Sequence, residues 1–188
     1  MSRVKGPWLV EGTLKAYTSA WLELCEDQVI RPDGQKGSFA TVKLKPGVSV
    51  LAVDDARDCY LTSEYRYAIE RESVEVVSGG IEADETALAA AQRELREEVG
   101  VEATQWVDLG LVDPLTSIVN SPARLFLARG LSFVKSEHES TEIIRVVKLN
   151  LSEVVRMVLK SQITHGPSSV LILKTHYFLN TREAEARE

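Results

Sequence analysis

One stretch of the chain, residues 79–101 with the sequence GGIEADETALAAAQRELREEVGV, constrains the fold more than any other. Its centre is rich in Ala and Leu and predicts a helix over about residues 85–99. We expect Asp84 to cap the start of this helix and Gly100 to end it. One apolar stripe at helical spacing is expected to face a core, formed by Leu88, Ala91, Leu95 and Val99.

Three carboxylates crowd the last two turns of this helix, where the partial negative charge of a helix C-terminus disfavours them: Glu94, Glu97 and Glu98. Like charges three or four residues apart cost a further ~0.2–0.5 kcal/mol per pair. A cluster of hard oxygen ligands suits Mg²⁺ or Mn²⁺. Arg93 is spaced to reach Glu97 or Glu85 and so to orient a carboxylate. The alternative, from charge composition alone, is a solvated helix face.

The segments around this helix predict strands on both sides of it and two helices near the end. The strands predicted before it cover residues 20–30, 39–44, 48–54, 59–67 and 73–78. After it come strands near residues 104–112, 124–131 and 143–149, then helices near 150–163 and 167–180. This order predicts an α+β domain rather than a regular alternation of strands and helices.

The domain organisation follows from the same pattern. Residues 1–19 form an N-terminal segment that is poorly patterned over its first dozen residues, and residues 20–180 form the domain. Within the domain, residues 20–44 predict an antiparallel hairpin, since a Pro-Asp-Gly turn separates two strands. Residues 181–188 are a charged tail. A chain of 188 residues, 44% of them hydrophobic, is sufficient to bury one core.

Charge and composition exclude several partners. The net charge of −6 argues against nucleic-acid binding, which requires Lys and Arg to neutralise phosphates. The sequence contains no apolar stretch of about 20 residues, so no membrane span is predicted. The first 15 residues lack the apolar core of a signal peptide. Two cysteines without metal-ligand spacing are expected to be reduced thiols. We therefore expect a cytoplasmic protein without nucleic-acid or membrane partners.

The spacing within residues 79–101 resembles the signature of the Nudix hydrolases. The matching positions are Gly79, then Glu85 after five residues, Arg93-Glu94-Leu95 after seven more, then Glu97-Glu98 and Gly100-Val101, each after one residue. The resemblance implies an α+β fold of the Nudix type, an α/β/α sandwich with a mixed β-sheet. It also implies hydrolysis of a nucleoside diphosphate linked to another group, in which water attacks phosphorus with the assistance of Mg²⁺, for which Mn²⁺ is a substitute.

The resemblance assigns roles to the residues of the motif. The implied metal ligands are Glu94, Glu97 and Glu98 together with the backbone carbonyl of Ser78. Glu97 either ligates a metal or shapes the site. The implied structural residues are Gly79, Glu85, Arg93 and Gly100, of which Glu85 and Arg93 form a pair.

The segment EYRYAIERESVEVVSGGIEADE, which overlaps the motif, resembles ADP-ribose pyrophosphatases. This implies that Arg66 and Glu75 bind substrate and that the protein is a homodimer exchanging N-terminal strands. Without that context, Arg66 is a strand-end surface arginine. Three features depart from the group: Val77-Ser78-Gly79 replaces the usual Pro-Ala-Gly, Glu64 replaces the usual Gln, and residues 113–123 differ from the loop that recognises the terminal ribose. The favoured substrate is ADP-ribose or a related nucleoside diphosphate sugar, with GDP-mannose or another diphosphate as the alternative.

The general base is the role that the motif itself does not supply. In relatives it is often a glutamate on a distant loop, and here residues 132–142 offer Glu139 or Glu142. The alternative is a merely solvated acidic loop. A different class of function, a non-catalytic Nudix module that senses nucleotides, is disfavoured because every motif carboxylate is present. His165 has no partner visible in the sequence and is expected to be structural or exposed.

Overall fold

The computed structural model describes residues 2–135 and 143–185, with side chains described up to residue 182. Its contacts divide the chain into two units. The first contains Met1–Pro46 and Asp113–Pro122, and the second contains Gly47–Val112 and Ala123–Glu188. The Nudix-type motif lies entirely in the second unit.

The first unit is a five-stranded sheet with the order β1-β2-β3-β4-β10. Its strands are β1 Arg3–Lys5, β2 Trp8–Thr18, β3 Leu22–Ile30, β4 Lys36–Leu44 and β10 Val119–Asn120. Strands β3 and β4 are the predicted antiparallel hairpin, and only β10 runs parallel to its neighbour. Strand β2 was not predicted because its residues from position 11 to 18 are all exposed, which leaves no apolar alternation to detect.

The second unit contains a seven-stranded mixed sheet. Its strands are β5 Gly47–Val53, β6 Asp58–Arg66, β7 Arg71–Glu75, β8 Val77–Gly80, β9 Val101–Val112, β11 Ala123–Phe133 and β12 Arg145–Asn150. The main path is β12-β6-β5-β11-β9, in which β5 and β11 are parallel.

Strands β5 and β6 pair only at one end and then separate. Ala52 and Val53 pair with Tyr60 and Cys59, whereas beyond them β8 pairs with β5 and β7 pairs with β6. The prediction of a single strand over residues 73–78 is therefore wrong. Val76 separates two strands, of which β7 pairs with β6 and β8 pairs with β5. This break places Glu75 beside β6 and places residue 78 beside β5.

Helices cover both faces of this sheet. Alternate side chains of β5 point to opposite faces, so Val50 and Ala52 pack against α1 Ala87–Val99. Leu51 and Val53 pack in the core formed with α2 Leu151–Leu159 and α3 Gly166–Glu185. The predicted α+β sandwich with a mixed sheet is confirmed.

Helix α1 differs from its prediction at the start. Its N-cap is Thr86, whose side chain accepts a hydrogen bond from the Ala89 N–H at 3.1 Å, whereas Asp84 lies in a left-handed turn with φ of 65°. Leu88 is 39% exposed and the buried stripe contains Ala90 instead. Gly100 ends the helix at φ 63°, as predicted.

The two C-terminal helices differ from their predictions in opposite ways: α2 ends at Leu159, short of the predicted residue 163, whereas α3 extends beyond the predicted residue 180. Asn150 caps α2 by accepting from the Ser152 N–H at 3.2 Å. Helix α3 continues to Glu185 and so includes part of the segment interpreted as a charged tail. In the part of the chain that the structure describes, no helix is both long and apolar enough to span a membrane.

Candidate active site

A glycine near the end of β8 makes room for the Glu94 side chain of α1. A Cβ at position 79 would lie 2.0 Å from the carboxyl carbon of Glu94 and 2.0 Å from its Oε1. The preceding residue, Ser78, lies opposite Ser49 on β5, and their hydroxyl oxygens are 2.9 Å apart. The absence of a side chain at Gly79 therefore lets the Glu94 carboxylate reach the backbone of β8.

Arg93 bonds with three of the motif glutamates at once. Its Nε and Nη2 donate to the two oxygens of Glu85 at 3.0 and 3.1 Å, and Nη2 also donates to the Gly80 carbonyl at 2.9 Å. Its Nη1 donates to Glu94 Oε1 at 2.7 Å and to Glu97 Oε2 at 3.1 Å. The two contacts offered as alternatives by the sequence, to Glu85 and to Glu97, both form.

These contacts change the electrostatics expected for the helix. The hydrogen bond to Glu85, followed by those to Glu94 and Glu97, raises the pKa of Arg93 above its usual range, although burial opposes the shift. The carboxylates near the helix end are thus partly neutralised by a neighbouring guanidinium. A bound cation is not their only source of compensating charge.

The motif residues have the ligand atoms that a divalent cation requires, but their side chains are not arranged around a common point. Carboxylate oxygens are the ligands that Mg²⁺ prefers, and the space kept open by Gly79 lies at the Glu94 carboxylate. Within residues 2–135 and 143–185, however, no group of three or more His, Cys, Asp or Glu side chains is arranged to hold a metal ion. The side chain of Glu97 is 41% exposed, so it is free to change rotamer at little cost in packing.

A second cluster forms where β6 ends beside β7. Arg66 donates from Nε and Nη2 to the two oxygens of Glu75, at 3.2 and 2.8 Å. On its other side, Arg66 Nη1 lies 2.7 Å from Glu64 Oε2. The predicted substrate-binding residues Arg66 and Glu75 are therefore bonded to each other, and Glu64, noted as a departure from the group, also pairs with the arginine.

Glu75 is buried, yet the structure keeps it ionised. Burial would raise the pKa of Glu75, but the hydrogen bond from Arg66, the electrostatic attraction of the His165 ring and the hydrogen bond from Ser73 together lower it below its usual value. The pKa of Arg66 is lowered by burial but raised overall by the hydrogen bond and charge of Glu75 and by the charges of Glu64 and Glu98. The charges that act on Arg66 thus include one from the motif helix.

The sequence did not reveal the partners of His165. Its Nδ1 lies 2.8 Å from the Ser168 hydroxyl and 3.4 Å from Glu75 Oε2. Burial, the largest effect, lowers the pKa of His165, and the charge of Arg66 lowers it further, against the opposing effect of Glu75. These partners lie 90 or more positions apart along the chain except for Ser168, so no local pattern indicates them.

The remaining predicted residues are placed elsewhere. Glu139 and Glu142, the candidates for the general base, lie outside the described residues. The loop that departs from the ADP-ribose pyrophosphatase pattern, Asp113–Pro122, belongs to the first unit. There its strand β10 runs parallel to β4.

Comparison with known proteins identifies the family. The family model of the NUDIX domain matches residues 43–147, more than half of the chain, so the chain belongs to the NUDIX family. It is a Nudix hydrolase, an enzyme of small nucleotide substrates, as the motif predicted.

Individual relatives agree with this class. The chain is 29% identical to an ADP-ribose pyrophosphatase of Mycobacterium tuberculosis over 85% of this chain and 79% of that protein. It is 28% identical to a methanol dehydrogenase activator of Bacillus methanolicus over 89% and 93%. A solved structure described as an ADP compounds hydrolase matches with a TM-score of 0.79 over 92% of this chain and 94% of that one, and its 19% identity shows the fold alone.

Proposed function

We propose that this Nudix hydrolase cleaves the diphosphate bond of ADP-ribose or a related nucleoside diphosphate sugar in a Mg²⁺-dependent reaction. The products are a nucleoside monophosphate and a sugar phosphate. The observation that carries the proposal is that one unit contains both the motif carboxylates on α1 and, at the end of β6, an arginine, Arg66, that the buried Glu75 holds by two hydrogen bonds. The name of the Mycobacterium tuberculosis relative supports the substrate class.

Glu94, Glu97, Glu98 and the carbonyl of Ser78 are the residues that would hold the metal. When bound, Mg²⁺ neutralises charge on the diphosphate oxygens and lowers the pKa of a coordinated water. Arg93 is suited to remain in place beside it, because its Nε and Nη2 are anchored on Glu85 and the Gly80 carbonyl independently of Glu94 and Glu97. To hold a cation, Glu94 and Glu97 would each give up their contact with Arg93 Nη1.

Arg66 is the residue that we assign to the substrate. The contacts with Glu64 and Glu75 use three of the five N–H donors of a guanidinium. The side chain is 39% exposed, so the remaining donors are accessible to a phosphate or ribose oxygen. Glu75 takes part by fixing the plane of the guanidinium and thereby the direction of those donors.

The general base remains assigned to Glu139 or Glu142 by resemblance, with Glu97 as the motif residue that assists catalysis. Either residue of the loop would accept a proton from the attacking water. The test compares Glu139→Gln with Glu142→Gln. The substitution that removes the general base should greatly lower kcat at pH 7, and the other should retain the wild-type kcat.

We also propose a cytoplasmic homodimer in which the N-terminal hairpin, residues 20–44 of a domain spanning residues 20–180, takes part in the interface. Large apolar side chains of the first unit are exposed, namely Leu14, Tyr17 and Trp21. Exposed apolar groups of this kind favour association. Cys25 and Cys59 are both free thiols, as suits a reducing compartment. Light scattering on the purified protein measures the oligomeric state.

A substrate panel tests the proposed reaction. Purified protein with Mg²⁺ is incubated with ADP-ribose, other ADP-sugars, GDP-mannose and dinucleotides, and products are separated by ion-exchange chromatography. We expect ADP-ribose to yield AMP and ribose 5-phosphate with the highest kcat/KM. A higher kcat/KM for GDP-mannose would reassign the sugar nucleotide, and the absence of turnover for every diphosphate would overturn the proposal.

A further inference from the structure

The segment that leads into α3 is fastened to β7 and to the residue that follows it. Arg71 Nη2 donates to Thr164 Oγ1 at 2.9 Å, and the Val76 N–H donates to Ser168 Oγ at 3.0 Å. Ser168 and Val76 are fully buried. The turn that carries His165 is therefore held at both ends beside Glu75.

Within this turn, the position of the His165 ring favours a proton on Nδ1. This nitrogen lies 2.8 Å from Ser168 Oγ and 3.4 Å from Glu75 Oε2. A lone pair on Nδ1 would face the negative charge of Glu75, whereas an N–H there is attracted to it. With its proton on Nδ1, a neutral His165 donates to Ser168 Oγ and presents the positive edge of its ring to Glu75 Oε2.

Arg66 lies between two carboxylates of different mobility. Glu75 is buried and binds the Nε and Nη2 edge of the guanidinium, while Glu64 is more exposed and binds Nη1. Glu75 Oε2 is shared between Arg66 Nη2 at 2.8 Å and His165 Nδ1 at 3.4 Å. Without the histidine N–H, the Glu75 carboxylate would lose one of the groups that fix its orientation, and Arg66 would shift toward Glu64.

We propose that His165 is a positioning residue, which holds the Glu75 carboxylate in the orientation that directs Arg66 toward the substrate. This inference rests on the proposed function, in which Arg66 binds the nucleotide. It extends the binding site to the start of α3, a part of the chain about 100 positions from Arg66. His165 itself need not touch the substrate.

Two substitutions of His165 distinguish the role of the Nδ1 hydrogen-bond donor from that of the imidazole ring as a whole. Asn places its amide close to the position of histidine Nδ1, and Gln places its amide close to Nε2. We expect His165→Gln to raise the KM for ADP-ribose about three- to tenfold, the equivalent of one hydrogen bond, with kcat unchanged within about twofold. His165→Asn is expected to keep a KM near that of the wild type.

A matched control is available on α3, the helix that follows His165. His176 lies near Asn180, outside the Arg66 cluster, and His176→Gln is expected to leave KM and kcat unchanged. The melting temperatures of all three variants show whether any effect comes from loss of folding. An equal rise in KM for His165→Asn and His165→Gln, or a wild-type KM for both, would overturn the positioning role.

A spectroscopic readout tests the inference without catalysis. The Arg66 Nε–H bonded to Glu75 gives a ¹⁵N–¹H resonance that is identified by its loss in Arg66→Lys. We expect His165→Gln to shift this resonance and to speed its exchange with water, whereas His165→Asn and His176→Gln leave it in place. An unchanged resonance in His165→Gln contradicts the inference even if the enzyme turns over, and a shift supports it even if no diphosphate is hydrolysed.

Discussion

Two arginines in the second unit each bond with more than one glutamate, but they do so in different ways. Arg93 meets Glu85, Glu94 and Glu97 within residues 79–101. Arg66 meets the buried Glu75, whose other neighbour His165 lies on a distant segment. The first cluster is local in sequence and contains carboxylates able to exchange the guanidinium for a cation, whereas the second is held rigid by burial and long-range contacts. We therefore propose that the Arg93 cluster, which is local in sequence, carries out the chemistry. The Arg66 cluster, which is assembled from distant segments, is proposed to bind the substrate.

The largest effect is expected from Glu98→Gln. The substitution keeps the size of the side chain and removes the charge of a proposed metal ligand, so kcat for ADP-ribose should fall by at least about 100-fold with the fold retained. Steady-state kinetics at saturating Mg²⁺ measures this. Glu102→Gln, at an exposed position of β9, is the matched control and should keep wild-type kcat. Wild-type activity in Glu98→Gln would remove this residue from the metal site.

Gly79→Ala should give the next largest effect. The new Cβ would overlap the Glu94 carboxylate, with 2.0 Å to its carbon, and the flexible side chain would move away from β8. Activity is expected to fall about 10- to 100-fold, as for other changes that misplace a ligand, with little change in melting temperature.

Gly12→Ala controls for the loss of a strand glycine, since a Cβ there meets nothing within 4 Å. If Gly79→Ala retained full activity, Glu94 would not need its present position against β8.

Arg66→Lys tests the assembled cluster. Lysine keeps the charge but loses the two-point contact with Glu75, so we expect the KM for ADP-ribose to rise about tenfold with kcat little changed. The free energy of unfolding, measured with urea, should fall by roughly 1–3 kcal/mol because the buried carboxylate loses hydrogen bonds. A loss confined to kcat would instead move Arg66 into the chemical step.

The smallest effect is a pH dependence of stability. The ordinary pKa of histidine is 6.5, and burial, with Arg66, lowers it for His165 against the opposing charge of Glu75. At a pH between the lower pKa of His165 in the folded protein and its pKa of 6.5 in the unfolded chain, the unfolded chain binds more protons. The free energy of unfolding therefore falls as the pH is lowered from about 6.5 through the pKa of the folded protein. His165→Asn should flatten this dependence and His176→Asn should not. Equal slopes in both variants would contradict a half-buried, neutral His165.

The local cluster was largely predictable and the assembled one was not. Glu94, Glu97 and Glu98 were found from spacing on a single helix, because helical geometry alone brings residues three and four apart together. The pairing of Arg66 with Glu75 depends on the register of β6 and β7, and His165 joins them only through the packing of α3. Such contacts follow from tertiary structure and leave no periodic trace in the sequence.

Errors in the fold prediction have similar causes. Strand β2 lacks alternation because both of its faces are exposed over most of its length. The strand predicted over residues 73–78 is divided at Val76 because its halves pair with different neighbours. Thr86 rather than Asp84 caps α1, since Asp84 takes a left-handed conformation in the preceding turn.

The most direct test is ADP-ribose hydrolysis by the wild-type protein as a function of Mg²⁺ concentration, with AMP and ribose 5-phosphate quantified together. We predict equimolar products, a rate that saturates with Mg²⁺, and no turnover after chelation with EDTA. Turnover that persists without a divalent cation, or no hydrolysis of ADP-ribose or of any related nucleoside diphosphate sugar, would contradict the account.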